Sequence, residues 1–595
     1  MESWKHLSRR SAKRRVYNFY VSCINESIEM DKNAEKSLFD LVGDLGNTSF
    51  LGAADANILD FRRTLKTVLT KYFLKSFVDI NIGTIIVFIS INKDLLARRQ
   101  TFLSIAGHAN IRNRTIYNFY KEFIKKTFII LGSPLTSYEI DTKVDDIVTL
   151  ETKMNVFNNS SEPETFNLSS LSDAFKTFDL NGIITSLMTS VNGSVDDIDL
   201  IEVAFSQFLR NLDYMFRSEN PDTLRNYVIW IGIYETFPFA SNELRRYYNH
   251  FEELLYPGPR VVHPRWFECI RTLNRYKPLV DVVSVEYLKN SELDTPLIED
   301  ILKRIKDAFR SNVNSVSWLD AKSKKAVAQK FENLIVSTKP QRLENETRVE
   351  KNMENIEMDQ YSYFRNKIIL LKVERVESYQ TDVKTQLIVP YDINALYVFH
   401  QNRADFNRAA FIKPDYFNRS YSQLLGSIGM IIGHEFTHMI ENMGIQSVLS
   451  TRGDFSNSSR DKFIEIWDCM IEQYNSYNLY GMSLLGEKEI NENMADNSGL
   501  SVAFTAFNKW KSENNEEKDY PGLDLTADQL FFVSFAHNNC EKYSRDYGIL
   551  NILNNNHAQG KFRVIGSVSN NENFAKAFKC KLGSNMNPVK KCFLI

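Results

Sequence analysis

The sequence predicts a mainly α-helical protein with a small β-sheet, built as two large lobes, and three observations predict it. The chain has 595 residues, and single hydrophobic cores stop growing near roughly 250 to 300 residues, so two cores are expected. Apolar residues recur at helical spacing over most of the chain, as in Phe39, Val42 and Leu45, or Leu65, Val68, Leu69 and Phe73. Only around Lys367 to Val398 does the period shift towards two, with Ile368, Ile369, Leu370, Leu371 and Val373, then Leu387, Ile388 and Val389, in strand-like runs. That shift places the lobe boundary near residue 340, with residues 1–340 a mostly helical lobe plus crossover segments and residues 341–595 the second lobe.

Composition narrows the class. Hydrophobic residues make up 43% and charged residues 25% of the chain, the balance of a globular protein with ample core. Lys+Arg 72 against Asp+Glu 74 leave a net charge of −2, which gives no basic field for nucleic acid. No run of about 18 apolar residues occurs, so no membrane span is expected, and the N-terminus lacks the apolar core of a signal peptide. The 6 cysteines fit either a reduced interior or three bridges. N-x-S/T sites at Asn25, Asn47, Asn113, Asn158, Asn159, Asn167, Asn192, Asn345, Asn418 and Asn457 lean towards a secreted glycoprotein.

In chain order, the basic cluster Arg9, Arg10, Lys13, Arg14 and Arg15 is expected on the wet face of a first helix, and helices continue to about Asp79. Ile82–Ile91 is rich in β-branched residues and reads as a buried strand. Tyr117–Phe128 and Leu200–Phe216 read as helices, with the polar stretch Asn155–Ser172 between them expected as a surface loop. Tyr256–Pro264 carries three prolines and is expected to bend. Ile298–Phe309 and Lys322–Leu334 are helical in period, joined through Trp318, Leu319 and Asp320.

The stretch Ser422–Asn442 holds His434, Glu435 and His438 in the order H-E-x-x-H. Two histidines four apart stand one turn above each other on a helix, so both imidazoles can reach one ion, and zinc suits that pair. Glu435 lies about 100° round from His434, placed to take a proton from a metal-bound water. Leu425, Ile428, Ile432, Phe436, Met439 and Met443 gather opposite the histidines, as expected of a buried helix. Gly426, Gly429 and Gly433 form a third strip that suggests a backbone packed very close, and Gly444 is the expected stop.

Alone, H-E-x-x-H arises by accident in about one such chain in a hundred, so a third ligand decides its reading. Glu492 and Asp496, an i, i+4 pair in NENMADN, can supply it: a carboxylate completes the protein donors, and the second can accept the other ring N–H of a ligand histidine.

Together these motifs resemble the neprilysin and endothelin-converting-enzyme family of zinc metallopeptidases, whose signatures are H-E-x-x-H and a later E-x-x-x-D. Asn394 and Ala395 in NALY look like that family's substrate-binding strand, and Met430-Ile431-Ile432-Gly433 like its lead into the zinc motif. His557 and Arg563 in HAQGKFRVIG match its histidine and arginine, and Trp318-Leu319-Asp320, ADQLFF around Leu530, MNP at Met586–Pro588 and SCIN at Ser22–Asn25 extend the agreement, close from about residue 290 onward.

The resemblance implies a thermolysin-like zincin catalytic lobe capped by a large helical lobe. It also implies one Zn2+ per chain on His434, His438 and Glu492. Glu435 would activate water, Asp496 orient a ligand histidine, and His557 stabilise the oxyanion. Arg563, Asn394 and Ala395 would hold the substrate backbone. The implied substrates are short oligopeptides cut on the amino side of apolar residues, outside the cell or at its surface.

Two departures qualify the picture. Glu441 stands where the family usually has an aspartate, so a longer carboxylate must reach the same partner, and Asn538 and Asn539 replace apolar wall of the specificity pocket. The alternative function is a catalytically weakened member that binds peptides. Matched to the family, Cys23 pairs with Cys269 and Cys469 with Cys592, while Cys540 and Cys580 are left unpaired or join each other. Their family partners lie in an N-terminal segment, following a membrane anchor, that this sequence lacks, so the sequence is expected to be missing its true N-terminus.

Overall fold

The computed structural model describes residues 2–45, 57–82, 86–91, 111–154, 164–198, 200–255, 263–291, 293–339, 343, 345–380, 389–411, 419–449, 453–514 and 522–595. These residues are mainly helical, with a four-stranded sheet, a three-stranded sheet and a two-stranded ribbon. The chain divides into two compact units, Met1–Val282 with Thr347–Leu387 and Val283–Glu346 with Ile388–Ile595. The single boundary expected near residue 340 is therefore replaced by crossings after Val282, Glu346 and Leu387. The reason is packing: the helices Thr295–Ser315 and Ala321–Glu332 bury Ile301, Ile305, Phe309, Val327 and Phe331 in the same core as the H-E-x-x-H helix.

The first unit is organised around the helix Pro221–Tyr234, which Asn220 caps and Pro221 opens. It is buried on every side, so its period is hidden by apolar residues all round. Its indole is satisfied inside: Trp230 Nε1 donates to Tyr120 Oη at 2.8 Å, and Tyr120 donates to Glu151 Oε2 at 2.7 Å. The same unit holds β1 (Val78–Ile82), β2 (Ile86–Ile91), β3 (Glu164–Phe166) and β4 (Leu200–Val203), in the order β1-β2-β4-β3. Cys23 and Cys269 are disulfide-bonded across 246 residues; closing so long a loop is worth several kcal/mol, about 4 or 5 in the chain-entropy picture.

In the second unit, β5 (Ile335–Ser337), β6 (Ala395–Val398) and β7 (Arg403–Phe406) form a sheet in the order β5-β7-β6 that packs on the H-E-x-x-H helix. That helix starts as a short turn at Tyr421–Leu424, passes through one π turn at Leu425–Gly429, and runs as an α-helix over Met430–Leu449. Phe436, on the face away from the histidines, meets the rings of Phe309, Phe331 and Phe406 edge-on at 6.0, 5.4 and 6.2 Å. Leu425, Ile428, Ile432, Met439 and Met443 are all buried beside it, as the apolar pattern predicts.

Two glycines set the depth of the site. A Cβ on Gly433 would lie 2.9 Å from Gly499 O, and one on Gly499 only 2.6 Å from His434 N. The helices Met430–Leu449 and Gly486–Glu513 therefore touch backbone to backbone. Gly426 likewise faces the Phe531 carbonyl, whereas Gly429 meets only side chains, Leu425 and Ile305. Cys469 and Cys592 are disulfide-bonded, and Trp318 Nε1 donates to the Leu594 carbonyl at 2.7 Å, tying the C-terminus into this core.

Several local expectations change. Lys367–Val398 is not a run of strands: Tyr363–Gln380 is a helix, because an unbroken apolar run such as Ile368–Leu371 carries no period to separate the two. Among the described residues only β6 supplies strand there; Leu387 and Ile388 lie outside them. Leu200–Val203 is β4 and the helix begins at Ser206, since Ile201 and Val203 alternate inward. The expected single strand Ile82–Ile91 is a pair, β1 ending where β2 has not yet begun.

In the expected Asn155–Ser172 loop, residues 164–166 are β3 and Asn167 caps a helix over Leu168–Ala174; residues 155–163, like 256–262 of the proline bend, lie outside the described residues. Arg15 is not on a wet face but buried, donating to the Met353 carbonyl. Gly444 is no stop: the helix continues to Leu449, and the missing Cβ makes room for the Phe463 ring.

Gly499→Ala is expected to cost several kcal/mol, roughly 2 to 4, by forcing the two helices apart. It should weaken zinc uptake along with the melting temperature, whereas Gly522→Ala, in open space at φ +83°, should lower stability slightly and leave zinc uptake alone.

Candidate active site

The two histidines and the later carboxylate meet. His434, His438 and Glu492 offer ligand atoms that all lie within 4.8 Å of one another. His434 Nε2 is 3.1 Å from His438 Nε2 and 3.1 Å from Glu492 Oε2, and His438 Nε2 is 3.6 Å from that same oxygen. Glu492 therefore stands where a third protein ligand would, and Asp496, one turn further on, is fully buried.

The other ring nitrogens are each engaged by a carboxylate. Asp496 Oδ1 accepts from His434 Nδ1 at 2.8 Å, and Glu441 Oε2 from His438 Nδ1 at 2.8 Å. Both tautomers are thereby set with the proton on Nδ1, so both Nε2 lone pairs point at one place. The longer Glu441 does reach its histidine. Two such lone pairs 3.1 Å apart repel unless a cation lies between them, and Glu492 Oε2 is buried without a well-directed hydrogen bond. Two nitrogens and one carboxylate are a zinc donor set with a fourth position to spare.

Around this group the electrostatics are arranged in layers. Arg563 grips Asp496 with two bonds, Nε to Oδ2 and Nη2 to Oδ1, each 2.6 Å. Burial would raise the Asp496 carboxyl, but Arg563 and His434 hold it down to about 2. His557 Nε2 is 3.0 Å from Glu492 Oε2, with its side chain 42% exposed. Glu435 is buried, which pushes its carboxyl up against the opposing pull of His434 and His438.

Asn394 and Ala395 stand at the start of β6, whose partner is β7 on one side only. Asn407 N donates to Asn394 O at 3.0 Å, and Asn394 itself is exposed. The outer edge of β6, next to the H-E-x-x-H helix, is open to an extended chain among the described residues. Asn538 and Asn539 line a cleft of about 370 Å³ shared with His557 and Arg563. Cys540, exposed, lines it too, and neither Cys540 nor Cys580 is bridged.

One feature escaped the sequence reading. Glu489, Asn493 and Gln559 are buried, and both side-chain polar atoms of each lack a hydrogen bond among the described residues. Burial pushes Glu489 up to about 7, with Lys488 opposing. No motif flags a single acid one turn before a ligand; only burial does.

The arrangement is of the H-E-x-x-H metal-site class. Two family profiles, both described as Peptidase family M13, match residues 1–338 and 394–594. The chain belongs to that family of metallopeptidases. It is similar to an endothelin-converting enzyme homolog of Locusta migratoria, 24% identical over 98% of this chain and 83% of that one. It is also similar to Neprilysin-3 of Drosophila melanogaster, 26% identical over 98% and 77%, and to Neprilysin of Mus musculus, 28% identical over 70% and 57%.

Among solved structures, an inhibitor complex of a Mycobacterium tuberculosis zinc metalloprotease shares the fold. Its TM-score is 0.74, at 18% identity over 97% of this chain and 88% of that chain. PepO of Lactobacillus rhamnosis gives a TM-score of 0.73 at 16% identity, covering 100% and 91%.

Glu489→Gln tests the buried acid. Its folded pKa lies above the ordinary value of 4.5, at about 7, so the folded state holds the proton longer, and stability falls as pH rises between those values and levels off above them. The glutamine variant should melt higher than wild type at pH 8, by up to a few kcal/mol, roughly 1 to 3. At pH 4.5 the two should melt alike; a pH-independent difference would show that Glu489 is not neutral in the fold.

Proposed function

We propose that this chain is a zinc endopeptidase of short peptides, binding one Zn2+ through His434, His438 and Glu492. The observation that carries the proposal is the convergence of those three ligand atoms with a buried Glu435 on the same helix. Bound zinc supplies Lewis acidity to a water and to the scissile carbonyl. Glu435 takes the proton of the attacking water and hands it to the departing amine, a task its raised carboxyl suits.

His557, facing the ligand group from the neighbouring cleft, donates to the carbonyl oxygen as negative charge builds there. Asp496 and Glu441 hold the two ligand imidazoles in the Nδ1–H form. Arg563, fixed by Asp496, and Asn394 with Ala395 on the open edge of β6 hold the substrate backbone, an extended chain adding to the sheet. The scissile bond precedes apolar residues among others, selectivity being relaxed by Asn538 and Asn539.

The setting is extracellular or at a cell surface. Two disulfides support an oxidising compartment, as do the exposed acceptor residues Asn25, Asn167, Asn192, Asn345 and Asn457. Among the described residues no helix is long and apolar enough to cross a membrane.

Glu435→Gln should keep its zinc, measured by elemental analysis, and lose hydrolysis by about 100- to 10,000-fold. A variant that loses the metal, or that cleaves normally, removes Glu435 from the role. Glu441→Ala, which leaves the ligands in place but frees His438 Nδ1, should weaken zinc binding by roughly 10- to 100-fold in a chelator competition. Zinc-loaded wild type that binds peptides without cleaving any would favour the alternative, a peptide-binding relative.

A further inference from the structure

The cleft beside the ligand group is walled by carboxamides. It holds about 370 Å³, ample for one side chain, and is lined by Asn538, Asn539, Asn551 and Asn555 together with His557 and Arg563. His557 reaches Glu492 at 3.0 Å and Arg563 is clamped to Asp496, so the cleft opens beside the scissile position. Two of the four amides are partly committed: Asn539 Nδ2 donates to the Phe535 carbonyl at 3.0 Å, and Asn555 Oδ1 accepts from His557 N at 3.1 Å. The carboxamides of Asn538 and Asn551 make no hydrogen bond to a described residue, and Asn555 keeps its N–H donors.

An apolar side chain entering this cleft strips water from those groups and returns no partner. A carboxamide or hydroxyl can pair with both a donor and an acceptor. A dry pocket favours valine over the isosteric threonine by about a hundredfold, so walls of this kind remove most of that bias. The two charged groups in the cleft are already engaged: Glu541 accepts from Gly560 N, and Arg563 has its carboxylate in Asp496.

We propose that this cleft receives the side chain following the scissile bond and takes uncharged polar side chains, carboxamide or hydroxyl, on equal terms with their apolar isosteres. Asn538 and Asn551 determine that breadth. The inference rests on the peptidase reading and gives its relaxed selectivity a direction.

The test uses peptides identical except at that position, in the isosteric pairs Asn and Leu, Gln and Met, Thr and Val. With zinc-loaded protein, the polar-to-apolar ratio of kcat/KM should be about one or above, and should fall at least about tenfold in Asn538→Leu and in Asn551→Leu. A wild-type ratio of about one tenth or less, or ratios unchanged in both variants, overturns the proposal; Asn551→Ser stands in should a leucine variant fail to fold.

The same pairs binding to zinc-loaded Glu435→Gln protein, read by fluorescence anisotropy, give Kd ratios that judge the cleft without turnover. If wild type cleaves no peptide, the peptidase reading fails while those ratios still decide the subsite. Protection of Cys540 from alkylation by the Asn peptide, and none by a scrambled control, is the expected sign that the peptide occupies this cleft; equal alkylation with and without the peptide overturns it.

Discussion

The close crossing of the helices Met430–Leu449 and Gly486–Glu513 is the constraint on which the site depends. Glu492 comes from a different helix than the two histidines, and a carboxylate side chain is short, so the axes must approach nearer than side chains on both would allow. Gly433 and Gly499 remove that barrier at the level of the ligands, where the backbone of one lies against the amide of His434. Each such glycine costs the helix about 1 kcal/mol against alanine. The cost is offset by burial on the far side, where Phe436 is locked among Phe309, Phe331 and Phe406 and cannot rotate away.

With the axes fixed, the polar shell explains why the imidazoles stay aimed. A buried carboxylate such as Asp496 is costly unless paired, and it is paired twice, with His434 and with both arms of Arg563. Arg563 is thereby held in place by the same residue that orients His434, so one buried anion links the guanidinium to the histidine pair. Removing Asp496 would release two functional side chains together, so the effects of changing Asp496 and Arg563 are not expected to add.

The sequence made this centre legible because its chemistry is local. H-E-x-x-H and the Glu492–Asp496 pair are helix-spaced, and a helix turns spacing into direction. The core face, Leu425 to Met443, followed from the same arithmetic, as did two of the three close glycines. Legibility ended where a pattern lost its period or where partners were remote. Ile368–Leu371 is apolar without alternation and lies in a helix; Ile201 and Val203 alternate over only four residues and lie in a strand. The assignment of Thr295–Ser315 and Ala321–Glu332 to the metal-site unit depends on contacts with residues more than a hundred positions away, which no window along the chain contains. Arg15 and Glu489 are charged by composition and buried by the fold.

Glu489 shows how much such burial can matter. It lies one helical turn before Glu492 on the same helix, is fully enclosed, and has no described partner for either oxygen. Ionising it would put an unpaired negative charge into the core beneath the site, which is why its carboxyl is held up to about 7. Its neighbours Glu492 and Asp496 are acids as well, yet both are held below the ordinary carboxylate range by the cations and imidazoles around them. Three acids within two helical turns thus have opposite protonation preferences because two face nitrogen donors and one faces none. The helix can carry the negative charge the metal needs at Glu492 with less repulsion from behind, since burial favours the protonated form of Glu489.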